Sequence, residues 1–102
     1  MNRRLHHAAQ EELSKEFEFY ASIDAELGKD FDHRITAAVR EICEFPLSYR
    51  LRDGGYRRIN ITRFPFYLPY IIRNETLIII AIAHNARHPD YWKKRISQNP
   101  PS

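Results

Sequence analysis

The chain is poor in the residues that mark several specialised architectures. It has one cysteine, Cys43, in 102 residues. A single thiol forms no internal disulfide, and its scarcity points to a reducing compartment, expected here to be the cytoplasm. Only 3 glycines are present, with no glycine-rich phosphate loop and no GxSxG turn, so neither an NTPase nor a serine hydrolase is supported. The longest uncharged apolar stretch, Leu77 to Ala83, is too short to cross a bilayer. The opening MNRRLHHAAQ lacks the apolar segment of a secretory signal. No membrane association is expected. His84 and His88 stand four apart, but Pro89 argues against a helix that would align them, and no HExxH pattern exists. The His6-His7 pair near the start is likewise a weak metal signal. No metal and no cofactor is expected.

What is present suits one small globular domain. Apolar residues make up 43% and charged residues 28%, ordinary values for such a chain. The domain is expected to span 1–97, with 98–102 a disordered tail. The charge is unevenly divided. Residues 1–51 hold seven Lys/Arg against ten Asp/Glu, whereas 52–102 hold nine against three, giving −3 and +6 for the overall +3. Such asymmetry points to a basic surface built by the second half, facing nucleic acid or an acidic protein.

The hydrophobic spacing sets the elements. Leu13, Phe17, Tyr20 and Leu27 fall on one helical stripe, predicting a helix over 8–27 closed by Gly28. Phe31, Ile35, Ala38, Val39 and Ile42 predict a second helix over 30–44, stopped by Pro46. The short turn between them implies an antiparallel helical hairpin. Cys43 lies on this second helix beside Ile42 and reads as a core or boundary residue. Asn2 to His6 is a candidate short strand. After the Asp53-Gly54-Gly55 turn, Tyr56 to Phe64 alternates as a strand, and Phe66 to Arg73 is its return. Pro69 within that return strand has no amide to donate, so an edge or a bulge is expected there. Asn74-Glu75 reads as a two-residue hairpin turn. Leu77 to His84 is apolar on both sides and reads as the central strand. Pro89 opens a short terminal helix. The fold class is therefore α+β: an antiparallel sheet with an N-terminal helical hairpin packed on one face and a short C-terminal helix. The other face is expected to be half open.

These pieces, in this order, resemble the RelE/ParE superfamily of toxins from type II toxin–antitoxin systems. The carriers are HHAAQEEL, CEFP, YRRINITRFPFYLPYII and LIIIAIAHNARHPDYW; RRINITRFPF and AIAHNARHPDYW look most like the ParE-like, plasmid-stabilisation branch. The resemblance implies a cognate antitoxin protein whose segment wraps the toxin in a hetero-oligomer. It also implies one of two targets. ParE-type toxins inhibit DNA gyrase; RelE-type toxins cut messenger RNA on the ribosome without a metal. The ParE-like look of AIAHNARHPDYW favours the gyrase reading, and the ribonuclease reading loses because RelE-like sites lean on Lys with Arg whereas the second half has no lysine among its strand residues. A degenerate, non-toxic binding module is the third reading.

If the chain were a ribonuclease, it would need cations for the phosphate and groups that move protons. The candidates are Arg58, Arg63, Arg73, His84, Arg87 and Tyr91. Each has a structural alternative. Arg58 reads equally as a solvated strand residue, and Arg63 and Arg73 as partners of helix carboxylates such as Glu16 or Glu18. His84 reads as a loop-bonded histidine and Tyr91 as a cap on the core. Arg87, in a loop at the mouth of the sheet, is least easily explained by structure. The antitoxin is expected along the helical hairpin and over Ile78, Ile80 and Ile82 of the open sheet face, bridged by Arg58 and Arg63.

Overall fold

A computed structural model describes residues 1–97; the expected tail, 98–102, lies outside them. The chain runs β1 (Asn2–Leu5), α1 (His7–Ile23), α2 (Ala25–Glu44), β2 (Arg57–Asn60), β3 (Phe66–Arg73), β4 (Thr76–Ile79), β5 (Ala83–His84) and α3 (Asp90–Lys93). The helical pair covers one sheet face and α3 the other. The sheet order is β1-β4-β3-β2, with β5 also paired to β3. β1 runs parallel to β4, so the sheet is mixed rather than antiparallel throughout.

The helix boundary differs from the expected one. Asp24, not Gly28, separates the helices. Its extended backbone (φ −162°, ψ 129°) ends α1, where its amide donates to the Tyr20 carbonyl, and its carboxylate caps α2 by accepting from Glu26 at 2.9 Å. An aspartate N-cap outranks a glycine as a boundary because it satisfies an orphan amide. Gly28 and Leu27 therefore belong to α2. Gly28 is buried where α2 meets α1: a Cβ there would sit 2.8 Å from Ala21 Cβ and 2.9 Å from Ala21 Cα. Gly28→Val is expected to destabilise by about 1–3 kcal/mol through overpacking, read by urea unfolding. An unchanged midpoint would contradict the close approach of the helices.

Two apolar layers sandwich the sheet. On the helix side, Phe31, Ile35 and Ile42 of α2 pack with Ile59, Phe66, Leu68, Tyr70, Leu77 and Ile79, and Cys43 lies partly buried at the margin. On the far side, Tyr56, Tyr67, Ile71, Ile78 and Ile80 pack under Trp92. The expectation of a half-open face fails here: Trp92 is 0% exposed and Ile78 and Ile80 are 3% and 0% exposed.

The predicted central strand also breaks in two, and Pro69 is the reason. β3 pairs with β4 in the register Tyr70↔Ile79, but with β5 in the register Tyr67↔Ala83. One extra residue therefore sits in the 80–82 segment opposite Leu68 and Pro69. This is a β-bulge, placed across from the proline. Ile80 donates its amide to the Pro69 carbonyl at 2.8 Å, and Pro69 has no amide to return. The Ile80 carbonyl instead accepts from Arg95 Nη1 at 3.1 Å, and the Ile82 amide donates to Glu12 Oε1 at 3.1 Å. Arg95 and Glu12 pair with each other at 2.8 Å. Two charged side chains thus complete the ladder where the proline interrupts it. The bulge also shifts the side-chain phase. Ile80 and Ala81 both join the far layer, and Ile82 turns to the helix side.

Candidate functional site

The basic second half concentrates its free cations beside the β2–β3 hairpin and the loop that follows β5. The hairpin register pairs Arg58 with Pro69 and Asn60 with Tyr67. The alternation that buries Ile59 and Ile61 toward the helices sends Arg58 and Asn60 to the opposite side. There the Arg58 guanidinium carbon lies 3.9 Å above the Tyr67 ring, and its Nη2 donates to Asn60 Oδ1 at 3.1 Å. The stacked, hydrogen-bonded guanidinium is held in one orientation.

The loop supplies the second cation. Asn85 donates its amide to the Pro65 carbonyl at 2.9 Å, and Arg87 donates its amide to the His84 carbonyl at 3.1 Å. Arg87 then stacks on Tyr91, 3.7 Å from the ring centroid. Arg58, Asn60, Tyr67, Asn85, Arg87 and Pro89 line a groove of about 340 Å³ that has no carboxylate in its wall. A neighbouring hollow of about 400 Å³ shares Arg87 and adds His84, Tyr91, Lys15, Glu12 and Glu16.

The six candidates are thus divided. Arg58 and Arg87 share one groove; Arg87, His84 and Tyr91 share the other. Arg63 belongs to neither. It sits at φ 74° in the turn after β2 and pairs with Asp30 of α2 at 3.4 Å, not with Glu16 or Glu18. Arg73 donates to the Ile96 carbonyl at 3.2 Å, so its partner is backbone rather than a helix carboxylate. The isoleucine set expected under the antitoxin is likewise dispersed. Ile78 and Ile80 lie beneath Trp92, and Ile82 faces the helices, so the three form no common docking surface.

Three of the groups able to move protons, His84, Tyr91 and Glu12, are already engaged. His84 Nδ1 accepts the Ala86 amide at 3.0 Å, and its ring packs edge-on against Phe66 at 5.2 Å. That contact engages the Nδ1 lone pair of His84. Burial raises the Tyr91 phenol above its ordinary value, against the lowering effect of a backbone hydrogen bond to His84. Tyr91 is therefore a protonated donor at neutral pH. Glu12 is engaged with Arg95 and Ile82. What the groove presents is two fixed guanidinium groups flanked by carboxamides, suited to holding an anionic group rather than to moving a proton.

Asn60, Tyr67 and Asn85 were not singled out in the sequence. Asn60 shares the parity of Arg58, and the hairpin register places Tyr67 opposite Asn60. Asn85 has no comparable signal. Glu12 and Arg95 were also missed, because their partners are backbone groups exposed only by the bulge.

A family profile described as ParE toxin of type II toxin-antitoxin system, parDE, matches residues 3–89. Toxin ParE2 of Mycobacterium tuberculosis, in strains CDC 1551 / Oshkosh and ATCC 25618 / H37Rv, is 25% identical over 100 residues, covering 95% of this chain and 95% of the relative. A chain of the solved chromosomal ParDE TA system from P. aeruginosa superposes with a TM-score of 0.69 at 18% identity, over 82% of this chain and 95% of that one. That likeness concerns the fold.

Proposed function

Because this chain belongs to the ParE toxin family of type II toxin–antitoxin systems, we propose that it arrests growth by binding and inhibiting DNA gyrase, with Arg58 and Arg87 in the contact. The observation that carries this reading is a groove with two tyrosine-stacked arginines and no carboxylate in its wall. Such a groove suits the holding of an anionic group, and its own wall supplies no base to activate a ribose hydroxyl.

The protein acts in the cytoplasm and is held inactive by a cognate antitoxin. No helix among the described residues is long and apolar enough to cross a membrane. The antitoxin finds apolar purchase on the exposed Phe19 and Ile23 of α1 and on Phe45, Leu47 and Leu51 beyond α2. Arg58 and Arg63 lie on opposite sides of the sheet, so an acidic segment touching both must pass around the β2 edge.

The test is a supercoiling assay with purified gyrase. Wild-type protein is expected to inhibit it. Arg58→Ala with Arg87→Ala is expected to raise the inhibitory concentration by about tenfold or more, since each charged contact contributes about 1.5–3 kcal/mol. Circular dichroism checks that the fold persists. Intact supercoiling together with messenger cleavage in a translating extract would overturn the gyrase reading in favour of a ribonuclease. No growth arrest on expression without a partner would overturn both.

A further inference from the structure

We propose that the sheet face turned away from the helices is a docking surface for duplex DNA, held through its phosphate backbone. The surface extends beyond the groove already described. Arg50, Arg52 and Lys93 line a separate hollow of about 300 Å³, with Tyr56 in its wall and Asp53 as its one acid. None of Arg50, Arg52, Arg58, Arg87 and Lys93 has a carboxylate partner among the described residues.

The two hollows share one aromatic floor. Lys93 Nζ lies 5.9 Å from the Tyr56 ring, Tyr56 meets Trp92 edge-on at 4.9 Å, and Trp92 Nε1 donates to the Tyr67 hydroxyl at 2.9 Å. Arg58 covers Tyr67. The cations are thus mounted along a continuous rigid layer. All ten carboxylates of the first half fall within 11–44, on the helices and at their junction. The molecule therefore has an acidic back and a basic front, which would orient a polyanion toward the front.

The burial of the rings selects the polyanion. Tyr56, Tyr67 and Trp92 are 7%, 4% and 0% exposed, and Arg87 occupies a face of Tyr91. Unpaired strands are gripped largely by stacking bases on open aromatic faces, which this surface does not offer. An acidic peptide draws most of its affinity from several apolar anchors in pockets, whereas the one exposed large apolar side chain in these two walls is Leu51, at one end. Duplex DNA needs only spaced cations and hydrogen-bond donors at its phosphates.

This surface goes beyond the gyrase reading, and its test contains no gyrase, so either idea can fail alone. Anisotropy of a labelled duplex of about 20 base pairs is measured across a salt series. Log K is expected to fall with log salt at a slope of about −3 to −5, roughly 0.9 per phosphate neutralised. Arg52→Ala, Arg58→Ala and Lys93→Ala should each shrink that slope by about one, while Arg40→Ala on α2 leaves it unchanged. Absence of binding at low salt would overturn the proposal. So would a slope indifferent to all three variants, tighter binding of the matching single strand, or equal competition by polyglutamate.

Discussion

Trp92→Ala is expected to lower the free energy of unfolding by about 3–5 kcal/mol, the range for truncating a fully buried large aromatic residue. The indole is 0% exposed, packs against Tyr56 and Tyr67, and donates its Nε1 proton to the Tyr67 hydroxyl at 2.9 Å. Its loss leaves a cavity over Ile78 and Ile80 and strips a buried hydroxyl of its donor. A domain of this size has about 5–15 kcal/mol in total, so a large share of the stability is at stake. The melting temperature should fall by on the order of 20 °C. Circular dichroism is the measurement, because Trp92 is the only tryptophan in the chain. A fall of only a few degrees would mean that the terminal segment contributes little and that the far layer is stable without its cover.

The second large effect lies at the bulge. Arg95→Met leaves the Glu12 carboxylate and the Ile80 carbonyl without their shared donor. The two side chains are 12% and 22% exposed, so the cost is set below that of a fully buried pair, at about 2–3 kcal/mol. The informative variant is the double one. Pro69→Ala gives back an amide facing the Ile80 carbonyl, so it should reduce the cost of Arg95→Met by about 1 kcal/mol. A double-mutant cycle on urea unfolding reads this coupling. Strict additivity would mean that Arg95 does not stand in for the missing amide.

Much of the fold was legible because the helix and strand periods are strong. α2 keeps its apolar stripe through Phe31, Ile35 and Ile42, and ends before Pro46 as expected. The Asn74-Glu75 turn has φ 52° and 61°, as a two-residue hairpin requires. Two errors have definite causes. The helix boundary falls at Asp24, four residues before Gly28, because its carboxylate caps α2. Ile78, Ile80 and Ile82 share one face only under an unbroken period of two, which the bulge opposite Pro69 invalidates beyond Ile80. Pro69 itself had announced an irregularity, but not which strand would absorb it.

The candidate site was partly legible for a related reason. Arg58 and Arg87 are unpaired cations at a strand and a loop, and composition alone marks such groups. Their gathering into one groove depends on Asn85 being tied to Pro65 across the sheet, a long-range contact without a local sequence signature. The roles of His84 and Tyr91 were undecided in the sequence. A backbone amide engages His84 Nδ1, and burial raises the Tyr91 phenol.

The placement of β1 constrains when this polypeptide can complete its fold. Asn2–Leu5 finds its partner only at Thr76–Ile79, and Glu12 meets Arg95 across 83 residues. Pairings of such long range form late. A chain cut before Thr76 lacks the partner of β1, and one cut before Arg95 lacks the partner of Glu12, so neither should complete this fold.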